Sequence, residues 1–134
     1  MKKFFFLFLF LSLFFSLYSQ ECELEINNSD IVQITEGFGS NRAEAIEDAK
    51  RNAIDKAVGS YIRTETQITN DEIDFDKIRS YSKGLVRDYC VIKYRTLSED
   101  DEYMVKIKAV VAKENVYETL KESGYEINLN TKDI

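Results

Sequence analysis

Alanine recurs at every fourth position through the middle of this chain, at Ala45, Ala49, Ala53 and Ala57. Residues four apart stack on one side of a helix, so these methyl groups form a ridge with almost no bulk. Ile46, Ile54, Val58 and Tyr61 flank the ridge, while Glu47, Lys50, Arg51 and Asp55 project elsewhere. The result is an amphipathic helix whose apolar side permits close approach to a sheet. Ser40 or Asn41 can cap it by accepting a hydrogen bond from an otherwise unpaired N–H. The helix is predicted from about Arg42 to about Gly59.

Strand patterns lie on both sides of this helix. Residues 31–38 read as a first strand, with Val32, Ile34 and Phe38 on one face. Residues 62–69, IRTETQIT, set Ile62, Thr64, Thr66 and Ile68 against Arg63, Glu65 and Gln67, which reads as a second strand. A short helix follows, capped by Asn70 or Asp71, with Ile73, Phe75, Ile78 and Tyr81 near helical spacing and Gly84 as a left-handed stop. Residues 85–97 and 102–112 form the clearest hairpin, joined by Ser98-Glu99-Asp100-Asp101. Its latter strand puts Tyr103, Val105, Ile107, Ala109 and Val111 on one face and Lys106 and Lys108 on the wetter one. A last helix is expected from about Glu114 to Ser123, ended by Gly124, and Tyr125, Ile127 and Leu129 alternate as a short final strand would.

Strand 85–97 resists a simple two-sided reading. Leu85, Tyr89, Val91 and Leu97 compete with Val86, Cys90, Ile92 and Tyr94 on the other face. A bulge that switches the alternation, a short helix over the second face, or a partner on that face would each explain it.

These elements predict an α+β fold: a small, mostly antiparallel sheet of about three to four strands packed against one long Ala-rich helix, with two shorter helices. The chain has no proline and no Gly/Ser tract that reads as a linker, so a single domain over residues 20–134 is expected, with flexible ends near 20–30 and 124–134. Residues 1–19 read as a secretory signal peptide: Lys2 and Lys3 precede an apolar run, and small or polar residues follow at Ser16, Ser19 and Gln20. The run from Phe4 to Ser19 is shorter than the ~20 residues a membrane span needs. Cleavage is expected after Ser19 or Gln20. Cys22 invites comparison with an acylated lipoprotein cysteine, but Glu21 stands where that modification wants a small, uncharged residue. A membrane therefore enters only through a lipid anchor that Glu21 disfavours, and export places the protein in the periplasm, at the outer membrane or outside the cell.

Export also makes a Cys22–Cys90 disulfide possible, the alternative being a buried thiol at Cys90 and a free cysteine in an N-terminal arm. The triplet Asn27-Asn28-Ser29 is a glycosylation acceptor only in a eukaryotic source.

Charge and composition then restrict the chemistry. Without Lys2 and Lys3 the formal charge of −6 becomes −8, and the basic residues are dispersed among acids along the sequence. That balance opposes binding to nucleic acid. Gly37-Phe38-Gly39-Ser40-Asn41-Arg42 begins like a dinucleotide fingerprint, but Arg42 occupies the third glycine position, and no phosphate-loop Gly-Lys-Ser/Thr follows. No nucleotide or other cofactor is expected, and Gly37 and Gly39 are read as turn-forming. Histidine is absent, which removes the commonest general base and metal ligand. The acidic cluster Asp71, Asp74 and Asp76 lacks the glycine and the bidentate glutamate of a calcium loop and reads as a solvated helix start, so no metal and no catalytic residue is assigned.

The order of motifs has a counterpart. A strand ending in Gly-x-Gly, the helix AEAIEDAKRNAIDKAVGSYI, TETQITND, SYSKGLVRDYCVIKYRT and YMVKIKAVV together resemble the N-terminal domain of flagellar assembly protein T and related small outer-membrane-associated lipoproteins of bacteria. The resemblance covers roughly residues 31–112. It implies a non-enzymatic α+β envelope module of assembly or scaffold type, acting through contacts with envelope proteins, in which Gly37, Gly39, Gly59 and Gly84 carry geometry. It does not transfer a flagellar role. A carrier enclosing a small apolar lipid or peptide is the alternative reading, and homo-oligomerisation is open.

The alanine ridge is testable from sequence alone. Leu at Ala49 or Ala53 overpacks the helix–sheet contact and is expected to lower stability by about 1–3 kcal/mol in thermal or denaturant unfolding.

Overall fold

A computed structural model describes residues 22–81, 84–97, 99 and 101–130. The expected signal peptide, residues 82–83 of the glycine-ended turn, and Ser98 and Asp100 of the hairpin turn lie outside the described residues. The elements run β1 (Asp30–Gly39), α1 (Arg42–Glu65), a 3-10 turn (Asn70–Glu72), α2 (Phe75–Tyr81), β2 (Val86–Leu97), β3 (Glu102–Ala112) and α3 (Lys113–Glu122). The three strands form one antiparallel sheet in the order β1-β3-β2. β3 is central, and the helical segment between β1 and β2 carries the chain past it in the manner of a split β-α-β unit.

α1 starts as the sequence demands. Asn41 is the N-cap, its Oδ1 accepting from the Glu44 N–H at 3.0 Å, while the Glu44 carboxylate accepts from the Ser40 hydroxyl and, at 3.0 Å, from the Ser40 N–H. This reciprocal arrangement is a capping box displaced by one residue. The Ser40 hydroxyl, followed by the Ser40 N–H, holds the Glu44 carboxyl below the usual carboxylate range.

The end of α1 departs from expectation. The helix does not stop at Gly59 but runs on to Glu65, so the strand expected over 62–69 does not exist. Burial explains why: Ala57, Val58, Tyr61 and Ile62 continue the helical face and are all dry. The Ile62–Thr66 spacing that looks like alternation is also one helical turn, and the Thr66 hydroxyl donates to the Ile62 carbonyl at 2.9 Å. Of the expected final strand only one bridge forms, Thr66 with Leu129, flanked by Gln67 N–H to Asn128 O and Asn130 N–H to Glu65 O. Asn130 Nδ2 also donates to Thr66 O, so the C-terminal segment satisfies carbonyls that the end of α1 leaves open.

The short helix is likewise shifted. Asn70 and Asp71 open the 3-10 turn, and Asp74 is the residue that caps α2, its Oδ1 accepting from the N–H groups of Asp76 and Lys77. α3 ends in a Schellman motif in which Gly124, at φ +89°, donates to Lys121 O and Tyr125 N–H donates to Leu120 O.

Two apolar clusters result. In one, Ala45, Ala49 and Ala53 pack on Val105, Ile107 and Ala109 of β3. In the other, the second half of α1 meets Ile73, Ile78, Leu85, Val111, Val116 and Leu120, so α2 and α3 complete a core that the sheet alone does not cover.

Gly37 and Gly39 are not turn residues. Both are paired in β1, opposite Val105 and Tyr103, and neither has positive φ. A Cβ on Gly37 would sit 2.2 Å from Ala45 O and Ala49 N, and one on Gly39 2.6 Å from Ala45 N. They are missing side chains that match the alanine ridge. Gly59, by contrast, has its nearest neighbour at 3.5 Å, so its Cβ would meet only ordinary contact. Gly37→Ala is expected to lower stability by about 1–3 kcal/mol or more, whereas Gly59→Ala, in a helix interior, should raise it by about 0.4–1 kcal/mol. Urea unfolding of the two variants checks both signs.

Candidate functional site

The residues singled out in the sequence divide into separate structural roles. Gly37, Gly39, Ala45, Ala49 and Ala53 meet at the helix–strand contact, Ala57 and Gly59 lie further along α1, and Gly84 turns the chain at φ +82° before β2. Cys22 and Cys90 are joined, with Cα atoms 5.9 Å apart, which points to an oxidising compartment.

Titratable groups with perturbed affinity for protons each have a structural cause. Burial, then the nearby Glu65 and Tyr117, raises the Tyr61 hydroxyl, and hydrogen bonding to Asp55 raises the Arg79 guanidinium. The acidic residues at the start of α2 are spoken for: Asp74 caps, and Asp76 pairs with Arg79, which also grips Asp55. Among the described residues no group of His, Cys, Asp and Glu is placed to hold a metal ion. Surface clefts are mixed in character; one beside β1 is bordered by Ile34, Glu36, Asn52, Asp55, Lys56 and Lys106. Among the described residues no helix is long and apolar enough to cross a membrane.

The surface of interest is the sheet itself, whose two faces differ. The odd-numbered residues of β1 and β3 point toward α1, and Val105, Ile107, Ala109 and Val111 are fully buried there. Val32, Ile34 and Phe38, read from sequence as one face, do share a face, but it is the one turned away from the helices: Ile34 is 50% and Phe38 44% exposed. The inward face of β1 instead carries Ile31, Thr35 and Gly37, with the Thr35 hydroxyl donating to Ala49 O at 2.7 Å.

β2 reaches this geometry through two bulges. Its pairing with β3 slips between Val86 and Asp88 and again between Val91 and Lys93. Tyr89 and Val91 before the second slip, and Tyr94 after it, therefore all pair with inward residues Ala109, Ile107 and Val105, while Ile92 is the extra residue and is 47% exposed. The bulge, rather than a covering helix, resolves the conflict in the sequence of this strand.

One end of the outward face is covered by the N-terminal arm. Cys22 is bonded to Cys90 on β2, and the chain from there reaches Asp30 at the start of β1, so it passes the central strand between them. Arg87, in the first bulge, donates to Glu25 O at 3.0 Å and pairs with the Asp30 carboxylate, which also accepts from Asn27 N–H. Lys113 N–H donates to Ser29 O. Val110, an outward residue of β3, is fully buried near this crossing.

The other end is open. It presents Ile34 and Phe38, with Met104 dry between the strands, the half-exposed bulge residue Ile92 on the β2 side, and four cations: Lys93, Arg95, Lys106 and Lys108. Glu36, Asp88 and Glu102 are the acids on this face beside the Asp30–Arg87 pair. Lys106 and Lys108 are legible in sequence as a wet face, but Lys93 and Arg95 are not, because the bulge at Ile92 inverts their side.

Both edges of the sheet are obstructed. On β1 the outward-pointing backbone groups Phe38 N–H and Glu36 C=O are taken by Asp48 Oδ2 (2.9 Å) and Asn52 Nδ2 (2.8 Å), one turn apart on α1. On β2 the two bulges interrupt the edge. Comparison with known families, curated proteins and solved structures returns no match.

The disulfide spans 68 residues, and closing a loop of that size restricts the unfolded chain strongly. Replacing Cys22 and Cys90 together by serine is expected to cost about 2–4 kcal/mol. It should also render residues 22–29 sensitive to brief proteolysis while β1–β3 stay protected in hydrogen exchange.

Proposed function

We propose that this chain is an exported, non-enzymatic module of the cell envelope that works through protein–protein contact at the open face of its sheet. The observation that carries this reading is the asymmetry of the sheet: the inward side chains Val105, Ile107, Ala109 and Val111 of the central strand are dry under the helices, and the other face leaves Ile34 and Phe38 of β1 about half exposed, with Ile92 half exposed at the bulge of β2. The blocked edges favour the face over strand addition as the contact. The Cys22–Cys90 bond and the sequence of residues 1–19 support export. The resemblance to the N-terminal domain of flagellar assembly protein T supports an assembly or scaffold role. The carrier alternative gains nothing from the cleft beside β1, which charged side chains border.

The test compares wild-type protein with an Ile34→Asp, Ile92→Asp variant as bait in envelope extract from the source cell. A partner retained by wild type and lost by the variant is expected, both proteins remaining folded by circular dichroism. No protein partner for a monomeric wild type, or a stoichiometric small molecule in native mass spectrometry, would contradict the reading.

A further inference from the structure

We infer that the element received by the open face is an acidic amphipathic helix of a partner protein, laid along β3; this rests on the contact role proposed above. The first support is charge. In a chain of formal charge −6, the open end of the sheet gathers Lys93, Arg95, Lys106 and Lys108 against the two acids Glu36 and Glu102, and among the described residues none of the four cations is in an ion pair. These cations are scattered in sequence and meet only because two strands and a bulge bring them to one side. A partner that leaves them unneutralised would bury charge at a cost, so its contacting side must carry carboxylates.

The second support is shape. Three strands spaced ~4.8 Å apart present a strip about 10 Å wide, the diameter of one helix. From Ile34 to Phe38 the open strip runs about 14 Å along the strand, room for about nine helical residues. Apolar residues at three- and four-residue spacing on such a helix would meet Ile34, Phe38 and Ile92, with acids on its flanks meeting the lysines. An extended peptide would need a free edge, and the Asp48 and Asn52 hydrogen bonds on β1 and the bulges of β2 stand in its way. An anionic bilayer fits less well. The whole chain is acidic, and Glu36 lies between the exposed apolar residues of β1.

The experiment places a benzophenone amino acid at Ile34, at Ile92 and, as a control on the far side of α1, at Arg51, in the full-length protein expressed and irradiated in its source cell. Adducts at Ile34 and Ile92 are expected with one protein, in a peptide that is acidic and carries apolar residues at helical spacing. Adding Lys106→Glu with Lys108→Glu should cut their yield about tenfold. A neutral or basic adduct peptide, or a second copy of this chain, would overturn the inference. Protein adducts at Arg51 alone would overturn it while leaving the contact role standing, and no protein adduct at any position would remove both. Sedimentation of the purified protein with phosphatidylglycerol vesicles, abolished by the same double substitution, would assign the face to a membrane and also overturn it.

Discussion

Everything in this fold depends on one close contact, the alanine ridge of α1 against the glycines of β1. With no Cβ at Gly37 and Gly39, the backbone of the helix comes within reach of the backbone of the strand. That proximity lets short side chains bridge the two: Thr35 to Ala49 O on the inner side, Asp48 and Asn52 to the strand's outer edge. A bulkier ridge would hold α1 away and leave the edge of β1 open to other chains. The contact therefore provides packing and edge protection together.

Its consequence is a division of labour between the two faces of the sheet. α1, α2 and α3 lie to one side and build two continuous clusters there. The opposite face is left to the N-terminal arm, fastened by Cys22 to Cys90 and by Arg87 to Asp30, and to solvent. Ile34 and Phe38 are about half exposed on this face together with Ile92 at its bulge and four cations, whereas Ile26, Tyr81 and Leu129 are exposed singly elsewhere, which is why this face carries the functional reading.

Period and spacing made much of the fold legible. The alanines and their apolar flanks marked α1, the alternation Val105, Ile107, Ala109, Val111 marked the central strand, and Gly124 marked the end of α3. The failures were local ambiguities of the same signals. Ile62 and Thr66 fit period two and period four equally, and only the burial of Tyr61 and Ile62 against α3 and the C-terminal segment decides for helix. Val32, Ile34 and Phe38 are the more hydrophobic face of β1, yet they point outward, because the inward face must be nearly bare to admit α1. The glycines that resembled a phosphate turn serve the same close fit. The cationic face was hidden for a different reason: one extra residue at Ile92 inverts the side on which Lys93 and Arg95 emerge, and a bulge leaves no fixed signature in composition.

Hydroxyl-radical footprinting tests the central claim most directly, since it reads side-chain accessibility in the native envelope fraction and again in the purified protein. Ile34, Phe38 and Ile92 should be shielded in the envelope and labelled after purification, with Ile46 and Tyr81 on the helical side unchanged. Equal labelling of the open face in both states, or shielding confined to the helices, would contradict a module that works through its sheet.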